Sequence, residues 1–338
     1  MSSDFGYVNA RIRGMSARGL SDDVLQAAVD SADFRAFTDV VGQTVYGSAY
    51  DEAKAVASGL QAVDNAVSRH VQDVTGRLMR FSDGAPHEVV ATLLLKNDTD
   101  DLKSLARSMH AGGSAEGVRE ALSGLGTIRP QVLERLAEAA DLQAAAQVLA
   151  IAKHPLAASF ARAVRRYASD GDLLRVELDL DRALYDTMAQ RAAKTSVGPD
   201  FAAYVALNID ATNVLTALKI TGKGLDAETY FLEHGQHVSR RVFDAIVDDG
   251  FAALSRMTTG PLASLSKVES AAEVEGAIRT AIRLWLRKRA QGDPLGVGVV
   301  LRFLQDKADE AAKMRLLARG KYYGVARERL VQELGHDA

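Results

Sequence analysis

Gly222-Lys223-Gly224 puts a lysine inside a glycine turn, which is the chemistry of a phosphate cradle. A phosphate loop also needs a glycine five residues before the Gly-Lys pair and a Ser or Thr after the lysine, and it follows a strand. Here Ala217 and Gly224 hold those positions, and the preceding segment has a helical pattern. Those departures make the turn a helix stop. Gly296-x-Gly298 has the start of a dinucleotide fingerprint, but Leu301 stands where the third glycine belongs. The expectation is a flexible or closely packed helix start after Pro294. His234 and His237 are spaced i, i+3, as two zinc ligands on one helix turn would be. A catalytic zinc needs at least one more ligand and a base, and nothing nearby supplies them, so both are read as solvated. The other histidines, at 70, 87, 110, 154 and 336, are scattered.

The acids that could act in pairs as general acid and base have another explanation. Asp98, Asp210 and Glu310 head three copies of one pattern. Four residues after each acid comes an apolar residue (Leu102, Val214, Met314). Then come Leu105-Ala106, Ala217-Leu218 or Leu317-Ala318, followed by a cation (Arg107, Lys219, Arg319). A glycine (Gly112, Gly224, Gly324) stands five residues after each cation. The apolar spacing makes a buried helical stripe, the cation suits a helix C-terminus, and the glycine lets the chain turn. Catalytic groups seldom triplicate, so the acids are assigned to charge pairing at helix ends.

The elements around these helices also repeat. Ser21 is a good N-cap, and an apolar helix runs from Val24 to Val41. Shifted by 108 residues, Val24–Val41 lies over Val132–Leu149, with Ala32-Asp33-Phe34 over Ala140-Asp141-Leu142. A weaker copy places Phe251 in the position of Phe34 and Leu142. Asp64, Asp181 and Glu275 each precede an alanine by two in a second helix. Each unit therefore has an apolar helix, an acid-x-Ala helix and an acid-to-glycine helix, with a period of about 95 to 115 residues. That exceeds the short-repeat solenoids and fits small helical bundles. The expected division is 1–118, 119–228 and 229–338, with glycine-rich breaks between units and another at Gly292–Gly296 inside the third.

Six prolines, many Ala, Leu, Arg and Glu residues and no sustained β-branched alternation make the expected class all-α. Of 338 residues, 47% are apolar and 25% charged, as in a globular protein of two or three units. A net charge of −3 gives no global field for nucleic acid. The absence of cysteine removes disulfides, thiol catalysis and Cys-bound zinc. The N-terminus carries arginines rather than the apolar run of a signal peptide, and runs such as ATLLL and VGVVL fall short of a membrane span. Arg279, Arg283 and Arg287 form a basic face around Trp285, the single tryptophan. With Arg11 and Arg13, they are the candidate contacts for an acidic partner or lipid headgroups.

A resemblance covers about residues 4 to 334 in order. DFGYVNARIRGM, QTVYG, the three helix ends, and DPLGVGVVLRFL followed by RLLARGKYYG resemble the C subunit of the V/A-type ATPase or ATP synthase, whose eukaryotic counterpart is the V-ATPase d subunit. The sequence departs from the family at Asp101 and Lys313, where repeats often carry the asparagine seen here as Asn213. The departure is assigned to a helix surface or packing position. The resemblance implies a pseudo-threefold funnel of helices on the cytoplasmic face of the membrane. It implies no cofactor, metal or turnover. It implies contacts with the shaft subunits D and F and with the proteolipid rotor ring, and torque passing between them to couple ATP hydrolysis or synthesis to hydrogen ion or sodium transport. The competing readings are an unrelated helical adaptor, or a ligand-binding or enzymatic domain with a polar pocket.

Overall fold

The computed structural model describes residues 4–17, 19–194 and 198–335; His336 lies outside them. Among the described residues there are eighteen α-helices, one 3-10 helix and no strand. The chain forms two compact units. One runs to Pro86 and resumes at Leu254; the other is His87–Ala253.

The first apolar segment differs from expectation. It is not one helix but two, Asp22–Asp30 and Phe34–Gly42. Asp33 ends continuity because it is extended (φ −150°) and its carboxylate accepts the Ala36 N–H at 2.8 Å. An N-cap oxygen satisfies a donor that the first turn leaves free. Asp141 does the same 108 residues later, splitting Pro130–Ala137 from Leu142–Ile151. Ser21 caps as expected, accepting from Val24 N at 3.3 Å.

The acid-x-Ala segments lie on Gly59–Phe81, Leu173–Ala192 and Ala271–Gly292. The three repeat-signature helices are Gly84–His110, Pro199–Ile220 and Val297–Tyr322. Their stripes are core. Leu102, Leu105 and Ala106 share one cluster with Leu142, Leu149, Phe160 and Leu180. Met314, Leu317 and Ala318 share another with Phe37, Val41, Tyr46 and Val67. Val214 and Ala217 are fully buried, and Leu218 half-buried. Each fully buried leucine contributes about 1.5–3 kcal/mol from area removed from water. Pro199–Ile220 has the length and apolarity of a membrane span, yet most of it is buried within the fold.

Candidate functional site

The three signature glycines share one conformation. Gly112, Gly224 and Gly324 have φ of +73°, +63° and +66°, with open space where a Cβ would lie. Backbone strain, not crowding, selects glycine there. After the first and third, a bond spanning five residues closes the helix: Gly113 N to Ser108 O, and Val325 N to Gly320 O, both 2.8 Å. Such bonds satisfy the carbonyls that a helix end leaves free. Gly222 is also left-handed (φ +71°), so the Gly-Lys-Gly stretch is a helix stop. Gly298 packs closely, with the Arg289–Ala290 backbone 3.0 Å from where a Cβ would stand.

The acids do something other than pair with helix-end cations. Asp98 is fully buried. Its Oδ1 accepts from Thr127 N (2.7 Å) and Ile128 N (3.0 Å), and its Oδ2 from Thr127 Oγ1 (2.7 Å). His154 Nε2 lies 3.2 Å from Oδ2. Asp210, equally buried, accepts from the N–H groups of Gln236, His237 and Val238 at 2.9–3.1 Å. Each carboxylate therefore ties down a loop on the far side of the next turn. Gly126 and Gly235 sit so close that a side chain there would strike the carboxylate. Charge-assisted bonds to backbone donors offset the cost of burying the charge.

The residue three positions on strengthens the grip. Asn213 exchanges two bonds with Leu232, donating to its carbonyl (2.8 Å) and accepting from its N–H (2.9 Å). Asp101 accepts from Ser123 N (2.6 Å) and Gly124 N (3.0 Å). Burial pushes the Asp101 carboxyl above the ordinary range, against those two bonds. Of the two alternatives for this position, helix surface or packing, Asp101 takes the packing one, being 3% exposed and bonded to the loop.

Glu310 differs again. Its carboxylate accepts from Tyr46 Oη (2.7 Å) and Lys307 Nζ (2.8 and 3.0 Å), all side-chain donors. Burial, and then the Glu310 charge, push the Tyr46 phenol upward. Tyr46 and His154 are 108 residues apart, at matching places in the repeat, and each reaches a signature acid. Superposing the copies makes that match readable in the sequence. It does the same for another: Lys103 and Arg315, each five residues after a signature acid, pair with Asp181 and Asp64.

Of the cations, Arg107 binds Glu177 through two bonds of 2.6 Å, and that carboxylate raises its pKa. Lys219 and Arg319 are exposed. His234 lies 3.2 Å from Asp186, and the His237 backbone serves Asp210. Among the described residues no three His, Cys, Asp or Glu side chains gather as metal ligands.

The candidate contact arginines are partly engaged within their own unit. Arg11 lies 4.1 Å over the Phe81 ring, and Arg13 donates to Pro294 O at 3.1 Å. Arg283 is half-buried, 3.5 Å from Asp309. Arg279 and Arg287 are exposed on the same helix, with Leu284 60% exposed between them. Trp285 is half-buried, with Arg289 over its ring at 5.1 Å. The structure brings Arg279, Arg283 and Arg287 onto one helix; it does not gather the signature residues into one reaction centre.

Comparison with known proteins follows the whole chain. The family model described as ATP synthase (C/AC39) subunit matches residues 8–333. The C subunit of the V-type ATP synthase of Thermus thermophilus is 36% identical over 334 residues, covering 99% of each chain. That of Deinococcus radiodurans is 34% identical over 337 residues, covering 99% of this chain and 92% of its own. The C subunit of the A-type ATP synthase of Halorubrum lacusprofundi is 23% identical over 347 residues, covering 98% of each.

Proposed function

The chain belongs to the ATP synthase (C/AC39) subunit family, and we propose that it is the non-catalytic central-stalk subunit of a rotary V/A-type complex. In this reading it joins the shaft subunits D and F to the proteolipid rotor ring on the cytoplasmic face of the membrane, and it transmits torque rather than turning over substrate. The observation that carries the reading is a family match running from residue 8 to 333.

The packing suits that task. A torque coupler must resist shear, and close-packed helices with fixed ends do so. Buried carboxylates at Asp98 and Asp210 lock loops to helices, while Lys103–Asp181 and Arg315–Asp64 brace helix to helix. The three-repeat division at 1–118, 119–228 and 229–338, and a funnel with pseudo-threefold symmetry, belong to the same proposal. So does contact of the basic face at Arg279 and Arg287 with the ring or its lipid headgroups.

Mixing the purified chain with the D–F pair and running a sizing column tests the shaft contact: stoichiometric co-elution is expected. Ring contact is tested by co-purification. Arg279→Glu with Arg287→Glu should lower the ring recovered with the chain. Full recovery with both reversals removes the basic helix from the interface, and failure to bind shaft and ring together removes the linker role.

A further inference from the structure

The three repeats treat one carbonyl in two different ways. The residue three before the signature glycine is Lys321, Thr221 or Met109. The residue five before Phe34, Phe251 or Leu142 is Val29, Ile246 or Ala137, at or near the end of a short helix. Lys321 Nζ donates to Val29 O and Ser31 O, both at 2.6 Å. Thr221 Oγ1 donates to Ile246 O at 3.2 Å. The Met109 side chain has no donor. Among the described residues nothing donates to Ala137 O or Ala139 O, the counterparts of the two carbonyls held by Lys321.

At that place a groove of about 540 Å³ opens, lined by Met109, His110, Glu138, Asp141, Val164 and Tyr167 along with Ala137–Ala140. Its floor is apolar, and its end combines a helix C-terminus with two acids. The negative end of a helix and unsatisfied carbonyls favour a cation. A lysine stem packs on apolar surface while its ammonium seeks acceptors. The other unit fills the equivalent space itself, with Lys321 on the carbonyls and Tyr322 against Phe34 at 5.2 Å. Its counterparts here, His110 and Leu142, leave room, and His110 turns instead to Tyr167 Oη at 2.6 Å.

We infer that this groove receives a lysine side chain from a partner protein, which places its ammonium on the Ala137 and Ala139 carbonyls as Lys321 does in the other unit. The inference rests on the reading that the chain works inside an assembly. It adds a specific contact whose chemistry is set by an internal copy.

The test uses the full chain with p-benzoylphenylalanine at Gln143, an exposed position lining the groove, expressed with the other subunits of its complex. Irradiation should give an interchain adduct to a segment carrying a lysine. Met109→Lys supplies the ammonium from within and should cut the adduct about fivefold or more, with Met109→Thr cutting it less. No interchain adduct, an adduct to a segment without lysine, or equal yield in Met109→Lys would overturn the inference. If the wild-type chain does not enter the complex, the stalk reading fails, and the isolated chain decides the groove. The peptide Ac-Ala-Ala-Lys-Ala-Ala-amide should then shift the Ala137 and Ala139 carbonyl resonances in wild type but not in Met109→Lys, and a norleucine peptide should not. Absence of those shifts overturns it equally.

Discussion

Asp98 and Glu310 occupy the same place in the repeat and hold different things. Asp98 is sealed in one unit and holds two backbone N–H groups of a loop, 29 and 30 residues further along the chain, as well as the side chains of Thr127 and His154. Among the described residues Glu310, in the other unit, accepts from side chains, one of them 264 residues away. The difference teaches that the acid is kept for its capacity to accept several bonds, not for a charge partner at the helix end. A carboxylate has about four lone-pair sites. What it meets depends on which segment the fold lays against that helix turn.

The largest effect should come from removing the backbone grip. Asp98→Ala leaves the Thr127 and Ile128 N–H groups without their acceptor, and should cost about 3–5 kcal/mol in urea unfolding. Exchange protection of those two amides should fall with it. Glu310→Ala should leave amide protection in its own unit largely intact, since its donors are side chains. Equal loss of amide protection in both variants would erase the distinction drawn between them.

Lys321→Met makes one unit resemble the other. It removes two bonds from a charged donor and should cost about 1.5–3 kcal/mol. An unchanged urea midpoint would mean that the filled and open grooves are energetically alike.

A smaller effect is a pH dependence contributed by His70, on the Glu310 side. Burial first, and then the charge of Lys307, hold the His70 imidazole below its ordinary value of about 6.5; Glu310 and Asp73 pull the other way. Protonation is therefore easier in the unfolded chain. The stabilisation is complete above about pH 6.5 and is lost as pH falls toward the lower folded value. His70→Gln should flatten that slope in urea midpoints taken between about pH 5 and 8. A slope that survives the substitution assigns it elsewhere.

The smallest change should come from Gly324→Ala, at about 1–2 kcal/mol, matched by Gly112→Ala. Both have open space at the Cβ and positive φ, so the two units should respond alike. A large difference between them would show a packing role that the backbone does not account for.

Much of the fold is legible because helix ends are local. The glycine, the cation and the apolar stripe all act within two turns, so the pattern at Leu102–Gly112 and Met314–Gly324 can be read directly. The split at Asp33 is hidden because apolar spacing continues across it, while the cap depends on one extended residue. Tyr46 and His154 give no local signal because each faces an acid supplied by another part of the chain. Asp101 reads as a surface or packing position because a polar residue near a helix end is usually solvated; here the following loop folds over it.

By itself the sequence determined the helical class, the positions of the signature helix ends and the repeat that relates them, since those follow from backbone preference and period. Only the tertiary structure decided which loop each acid holds, that Lys321 closes one groove, and that Met109 leaves its counterpart open. Those outcomes depend on hydrogen-bond distances between segments far apart in the chain. Such distances are set by how whole helices pack, not by the types of neighbouring residues.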